Sequence, residues 1–188
     1  MFTAVKKQIA GALLIAALVL PAGCSTMMIM PKGVPSIKGL EAGSLAGMSL
    51  SIKNIEANSA EYAILNSSKE NTGFVTDRQA WSGMLVEALA AEFSKRGAQV
   101  RVSAPVMISI ALPEITVNQS RGFLRSSIKV SVSSSTGWSK KYEAFAESDP
   151  GPFDMLYNTV NSVSGQTLGV AVKAMLEDAE FLAQLKKK

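Results

Sequence analysis

The chain has 188 residues, with 19 Lys and Arg against 15 Asp and Glu, no histidine and a single cysteine. Without histidine the commonest zinc ligand and the commonest general base are missing, and one cysteine cannot form an internal disulfide, so the fold must rest on hydrophobic burial. The formal charge of +4 falls to +2 once Lys6 and Lys7 leave with the leader described next (17 basic against 15 acidic residues), which is too weak a field to point to nucleic acid.

Lys6 and Lys7 precede an apolar run from Ile9 to Leu20, and the small residues Ala22 and Gly23 follow it. Crossing a bilayer takes about 20 apolar residues, and Pro21 with Gly23 ends this run sooner. Residues 1–23 therefore read as an export signal. The segment Leu20-Pro21-Ala22-Gly23-Cys24 resembles the lipobox of bacterial lipoproteins, with Pro21 standing where an aliphatic residue is usual. The resemblance implies cleavage before Cys24, a diacylglyceryl group on its sulfur and a further acyl chain on the new amino terminus. Two or more chains anchor a protein stably without spanning the bilayer. Ser25, where inner-membrane retention signals carry Asp, implies sorting to the outer membrane with the domain facing the periplasm.

Residues 24–46, beginning with the lipidated cysteine, are rich in Gly, Pro, Ser and Met and read as a flexible tether. Met27, Met28 and Met30 carry thioethers of the kind that bind Cu(I), but no His or Cys joins them, and they read as apolar residues beside the anchor. Residues 47–188 are expected to form one domain. Met48, Leu50 and Ile52 alternate with polar residues as in a half-buried strand, and residues 54–74 then read as a long polar loop. Thr76-Asp77-Arg78-Gln79 fits a capping box, with Thr76 as the cap. The helix it opens carries Trp81, Leu85, Leu89 and Phe93 on one face and ends at Gly97, its basic last turn complementing the dipole.

Val100 and Val102 suggest a short strand. Val106, Ile108, Ile110 and Leu112 alternate until Pro113, which is expected to stop them, with Ile115 and Val117 as a possible extension. Two further alternating runs, Leu124 to Ser133 and Trp138 to Ala146, flank a turn at Ser134-Ser135-Thr136-Gly137. A helix over 155–176 follows, with Asp154 as its cap, and Ser164-Gly165 and Gly169 either kink it or admit another backbone. Asp178 is placed to cap a last short helix with Phe181, Leu182 and Leu185. Lys186 to Lys188 read as a solvated tail. The expected class is α+β: an antiparallel or mixed sheet of four to five strands, packed on one face by two main helices, plus a short C-terminal helix.

This order of elements, from Cys24 through Met48-Ser49-Leu50-Ser51-Ile52, the helix ending in Phe93-Ser94-Lys95-Arg96-Gly97, the alternating strands, Asn161-Ser162-Val163 and the 178–185 segment, resembles the YajG-type family of small Gram-negative lipoproteins. The resemblance implies a mixed α/β domain at the outer membrane and carries no active-site residue. No cofactor and no metal are expected. Arg121, Arg125, Lys129, Lys140 and Lys141 form a candidate basic patch for anionic headgroups or glycan, although strand edges carry such charges routinely. Trp81, Phe93, Trp138 and Tyr142 are either core or the lining of a ligand groove between sheet and helices. Glu114, Glu143, Glu147 and Asp149 show no pair held at catalytic separation, so no enzyme is expected. The leading functional reading is an accessory or scaffold, held to a membrane by its lipid, with an envelope protein as partner; the second is a lipid- or glycan-binding module.

Overall fold

The computed structural model describes residues 27–38, 43–56, 62–66, 73–120, 122–149 and 156–186. The leader, Cys24, Arg121 and Asp154 lie outside them. In chain order the elements are β1 Met27–Ile29, β2 Ser49–Asn54, β3 Tyr62–Asn66, β4 Gly73–Asp77, α1 Arg78–Lys95, β5 Gln99–Val100, β6 Val106–Ser120, β7 Phe123–Ser134, β8 Ser139–Ser148, α2 Leu156–Glu177 and α3 Ala179–Leu185. The main sheet has the order β5-β2-β6-β7-β8, with β2 parallel to both β5 and β6 and the remaining pairs antiparallel. A second sheet runs β1-β4-β3. The α+β class, the mixed five-stranded sheet and the helices packed on it agree with the sequence pattern.

The alternation of β6 explains how it passes Pro113. Ile108, Ile110 and Leu112 are buried at even positions, whereas Ile115 and Val117 are buried at odd ones. A register shift between Ala111 and Glu114 inserts one residue and restores the core face. Pro113 sits in that irregularity, where its missing N–H costs no ladder bond, so the strand continues to Ser120 rather than stopping.

Helix α1 is capped one residue later than the capping box indicated. The Asp77 carboxylate accepts from the backbone N–H groups of Gln79 at 2.9 Å and Ala80 at 3.3 Å. Thr76 cannot serve, because it lies inside β4, paired with Ile29 on one side and Ala63 on the other, and is fully buried. At the other end Ala98 N–H donates to Phe93 O and Gly97 N–H to Ser94 O, the paired bonds of a Schellman motif, with Gly97 at φ 88°. Trp81, Leu85, Leu89 and Phe93 are all fully buried, as their spacing predicted.

Three further expectations are corrected. Residues 54–74 are not wholly loop: β3 pairs antiparallel with β4 from Tyr62↔Asp77 to Asn66↔Gly73. The short strand near Val100 ends there, and Val102 is fully exposed. Residues 27–38, assigned to the tether, pack against the domain. Ile29 is fully buried, Met30 N–H donates to Asn161 Oδ1 at 3.1 Å, and Lys32 N–H donates to Asn161 O at 2.8 Å. Proline and glycine exclude regular structure but not docking, and the docking surface lies far along the chain.

That surface is α2. A Cβ on Gly165 would stand 2.1 Å from the Lys32 carbonyl oxygen, and one on Gly169 would stand 2.6 Å from Pro35 Cγ. Of the two roles open to these glycines, the structure therefore shows close approach of a second segment. Asp178 caps α3 as expected, accepting from Glu180 N–H and Phe181 N–H.

Candidate interaction surface on the open face of the sheet

The helices cover one face of the main sheet. On β7 the covered positions are Leu124, Ser126, Ile128, Val130 and Val132, so Arg125, Ser127, Lys129, Ser131 and Ser133 project from the other face. Register places Glu147, Phe145, Glu143, Lys141 and Ser139 of β8 beside them, and Asn118, Thr116, Glu114, Ala111 and Ser109 of β6 on the far side. This open face is mostly serine, threonine and charge, with Asn118 and Ala111 among them and Phe145 half exposed.

Arg121 lies outside the described residues, and the other four basic residues do not form one patch. Lys140 lies on the covered face, at its rim, and bridges Asp178 at 2.8 Å and Glu180 at 3.1 Å. Alternation is the reason: Lys140 and Lys141 are neighbours in sequence and therefore point to opposite faces. Lys129 is bound to its register partner Glu114 at 2.7 Å, which raises its pKa. Arg125 pairs with Glu147 at 3.3 Å and lies over the Phe145 ring at 4.1 Å. Glu114, Glu143, Arg125, Lys129 and Phe145 surround a shallow depression of about 140 Å³. Lys141 stands opposite Ser131, with no acid paired to it among the described residues. Together with Ser131, Ser133, Ser139 and Ile55 it lines a groove of about 260 Å³. A row of polar residues, Lys53, Ser109, Ser133 and Ser139, crosses four strands in register beside it.

The aromatic residues belong to the interior. Trp81 and Phe93 are fully buried, Tyr142 is buried, and Trp138 is stacked on Phe181 with ring centroids 5.6 Å apart. Phe93 and Tyr142 also meet Phe181, at 6.2 and 6.5 Å. The rim above this cluster is an ionic lock. Tyr142 donates to Asp178 at 2.6 Å and Trp138 Nε1 donates to Glu180 at 2.9 Å. Burial opposes ionisation of Asp178, but the Lys140 ammonium, the Tyr142 hydroxyl and the N–H groups of Phe181 and Glu180 outweigh it and hold the carboxyl down at about 2. The Tyr142 hydroxyl is pushed up, first by burial and then by its bond to Asp178, so it stays a donor.

Sequence reasoning missed a second lock. The basic last turn of α1 does more than complement the dipole: Arg96 is buried, and its Nη1 reaches Glu92 Oε2 at 2.9 Å and Glu92 O at 2.7 Å. Glu92 also accepts from Lys95, and from Ser36 Oγ and Ile37 N–H at 3.4 Å, so it ties the 27–38 segment to α1. Burial resists its charge, and the bonds from Lys95, Arg96 and Ile37 lower its pKa regardless. The i,i+4 spacing of Glu92 and Arg96 was the available signal. The four acids weighed for catalysis fall as follows: Glu114, Glu143 and Glu147 share the open face, two of them held by cations, and Asp149 follows the end of β8.

Comparison with known proteins adds three findings. A family model described as an uncharacterized lipoprotein matches residues 44–186. No curated protein matches the sequence. Among solved structures, a Xanthomonas campestris protein of the DUF330 family is similar at 14% identity, covering 81% of this chain and 90% of its own, with a TM-score of 0.49. A minor lipoprotein from Acinetobacter baumannii is similar at 9% identity, covering 68% and 87%, with a TM-score of 0.40. No described helix is long and apolar enough to cross a membrane.

Proposed function

The chain belongs to this family of uncharacterised lipoproteins, and from that premise we propose a non-enzymatic envelope lipoprotein, tethered by lipidated Cys24 at the outer membrane. In this reading it serves as an accessory or scaffold for an outer-membrane or trans-envelope assembly, with its domain in the periplasm. The YajG-type relationship belongs to the same reading. The observation that carries it is the open face: a five-stranded sheet covered on one side, with its other side largely polar, Phe145 half exposed on it, and uncovered among the described residues. An antiparallel sheet can pack one face on the core and leave the other solvated, and this reading gives the solvated face to the partner.

The structure sharpens how the anchor would act. β1 begins at Met27, so only Ser25 and Thr26 separate it from Cys24. Three residue steps span at most about 11 Å, and the domain would lie against the bilayer rather than at the end of a long leash. Met28 and Met30 are partly exposed at that end, where acyl chains would meet them.

Photo-crosslinkers at Ser109, Ser131 and Ser133, on the open face away from the β8 edge, test the scaffold in intact cells. One stoichiometric envelope protein should be captured from all three positions, and capture of none would sink the reading. Cys24→Ala should move the chain out of the membrane fraction; unchanged fractionation would remove the anchor.

A second reading, the glycan- or lipid-binding module, draws on the groove between Ser131, Ser133, Ser139 and Lys141, since the aromatics considered for a helix-side groove are core. Native mass spectra of the purified chain should then carry a constant added mass that Lys141→Glu removes. A clean spectrum at the bare mass would end it.

A further inference from the structure

The two edges of the main sheet are treated very differently. β5, at one edge, is two residues long. β8, at the other, runs for ten residues, pairs with β7 without a register shift and contains no proline. Short strands, bulges and prolines are the usual means of blunting an edge, and β8 has none of them. On the open face its edge protection is the charge of Lys141, Glu143 and Glu147 alone, and these have both signs.

The direction of each β8 peptide group follows from the hairpin. Ser134 N–H donates to Trp138 O, so the hydrogen-bonded pairs of the β7–β8 ladder are Val132↔Lys140, Val130↔Tyr142, Ile128↔Ala144 and Ser126↔Ala146. Ser135 N–H donates to Met107 O across β6, which agrees, because odd residues of β7 then bond to β6 and even ones to β8. Lys141, Glu143, Phe145 and Glu147 therefore turn their N–H and C=O groups outward, and among the described residues no backbone group meets them. The same four side chains project from the open face.

We infer that the β8 edge is a self-association surface on which a second copy of this chain pairs antiparallel, about a dyad at Ala144, extending the sheet across both molecules. The charge pattern selects the occupant and the register. With the dyad at Ala144, Lys141 of each copy faces Glu147 of the other, twice, and Phe145 faces Glu143. The two Phe145 rings become diagonal neighbours beside the dyad, within reach of one another. Moving the dyad one position sets Glu143 opposite itself, or Glu143 opposite Glu147, and like charges directly opposite destabilise a ladder. Moving it to Tyr142 sets Lys141 opposite Glu143 but leaves Glu147 outside the overlap and sets Phe145 opposite Ser139, separating the two rings. The chosen register forms about eight main-chain hydrogen bonds. It also gives Lys141 a carboxylate, and Glu147, already held by Arg125, a second cation. The inference rests on strand geometry and is independent of Cys24 and of the proposed scaffold role.

The test uses two differently tagged full-length chains, Lys141→Cys and Glu147→Cys, coexpressed and mildly oxidised, with the wild-type chain as baseline. Facing residues of a hydrogen-bonded pair stand about 5.5 Å apart at Cα, within disulfide range, whereas residue 141 and its own copy would be offset by about 20 Å. A mixed-tag disulfide should form when the variants are together and not when either is alone. Lys141→Glu should weaken self-association roughly tenfold in Kd, read by native mass spectrometry of the detergent-purified chain, and adding Glu147→Lys should restore it. A chain monomeric at every concentration, equal linking in the single variants, or cysteines that trap a different protein would each overturn the inference.

Discussion

At the scale of single residues, the most constrained positions are two glycines that no motif marks. Alanine at Gly165 would improve helix propensity by about 1 kcal/mol, yet its methyl group meets the Lys32 main chain at 2.1 Å. A backbone clash of that depth cannot be relieved by a rotamer change, so Gly165→Ala should cost about 1–3 kcal/mol in urea unfolding. It should also raise hydrogen exchange at Met30 and Lys32, whose N–H groups bond to Asn161. A more stable protein would show that the segment is not docked. Asp178 supplies a pH prediction. Its folded pKa of about 2 lies below the ordinary 3.8, so the stabilisation is complete above the ordinary value and is lost as pH falls through about 2. Acid titration followed by Trp138 fluorescence should show this loss, and Asp178→Asn should flatten it.

At the scale of the element, the start of α1 separates two readings of one tetrapeptide. Asp77→Ala removes the cap and should cost about 1 kcal/mol. Thr76 is buried, and its hydroxyl has no hydrogen-bond partner among the described residues. Thr76→Val exchanges that hydroxyl for a methyl group of the same shape and should be neutral or stabilising by up to about 1 kcal/mol. Thermal melts of the two variants decide it, since a Thr76 cap would reverse the order. The bulge in β6 was legible in the switch of buried positions from Ile108, Ile110 and Leu112 to Ile115 and Val117. Proline is a stop signal only where a ladder needs its N–H, and a bulge is the place where it does not.

At the scale of the whole molecule, the amino-terminal segment is part of the fold. Ile29 fills the core, its carbonyl accepts from Trp81 Nε1 at 3.1 Å, and β1 supplies an edge to β4. Deleting residues 27–38 should therefore lower the melting temperature by several degrees or more, whereas a tether could be removed without effect. A chain shortened in this way would also expose the small-residue surface of α2 that the segment covers.

The sequence by itself determined the α+β class, the buried stripe of α1, the β7–β8 hairpin, the cap of α3 and the absence of histidine chemistry. Each of these is written in a local period, a turn or a composition, within a few residues of where it acts. The tertiary structure alone decided that Gly165 and Gly169 receive the 27–38 segment, that β1, β4 and β3 form a second sheet, and that Lys140 meets Asp178 and Glu180. The contacts from the 27–38 segment and within the second sheet join residues that local periodicity does not connect. That no strand pairs with the outer side of β8 among the described residues is likewise a property of strand order. Strand order is set by which pairings bury the apolar faces together, and no single stretch of the chain records that.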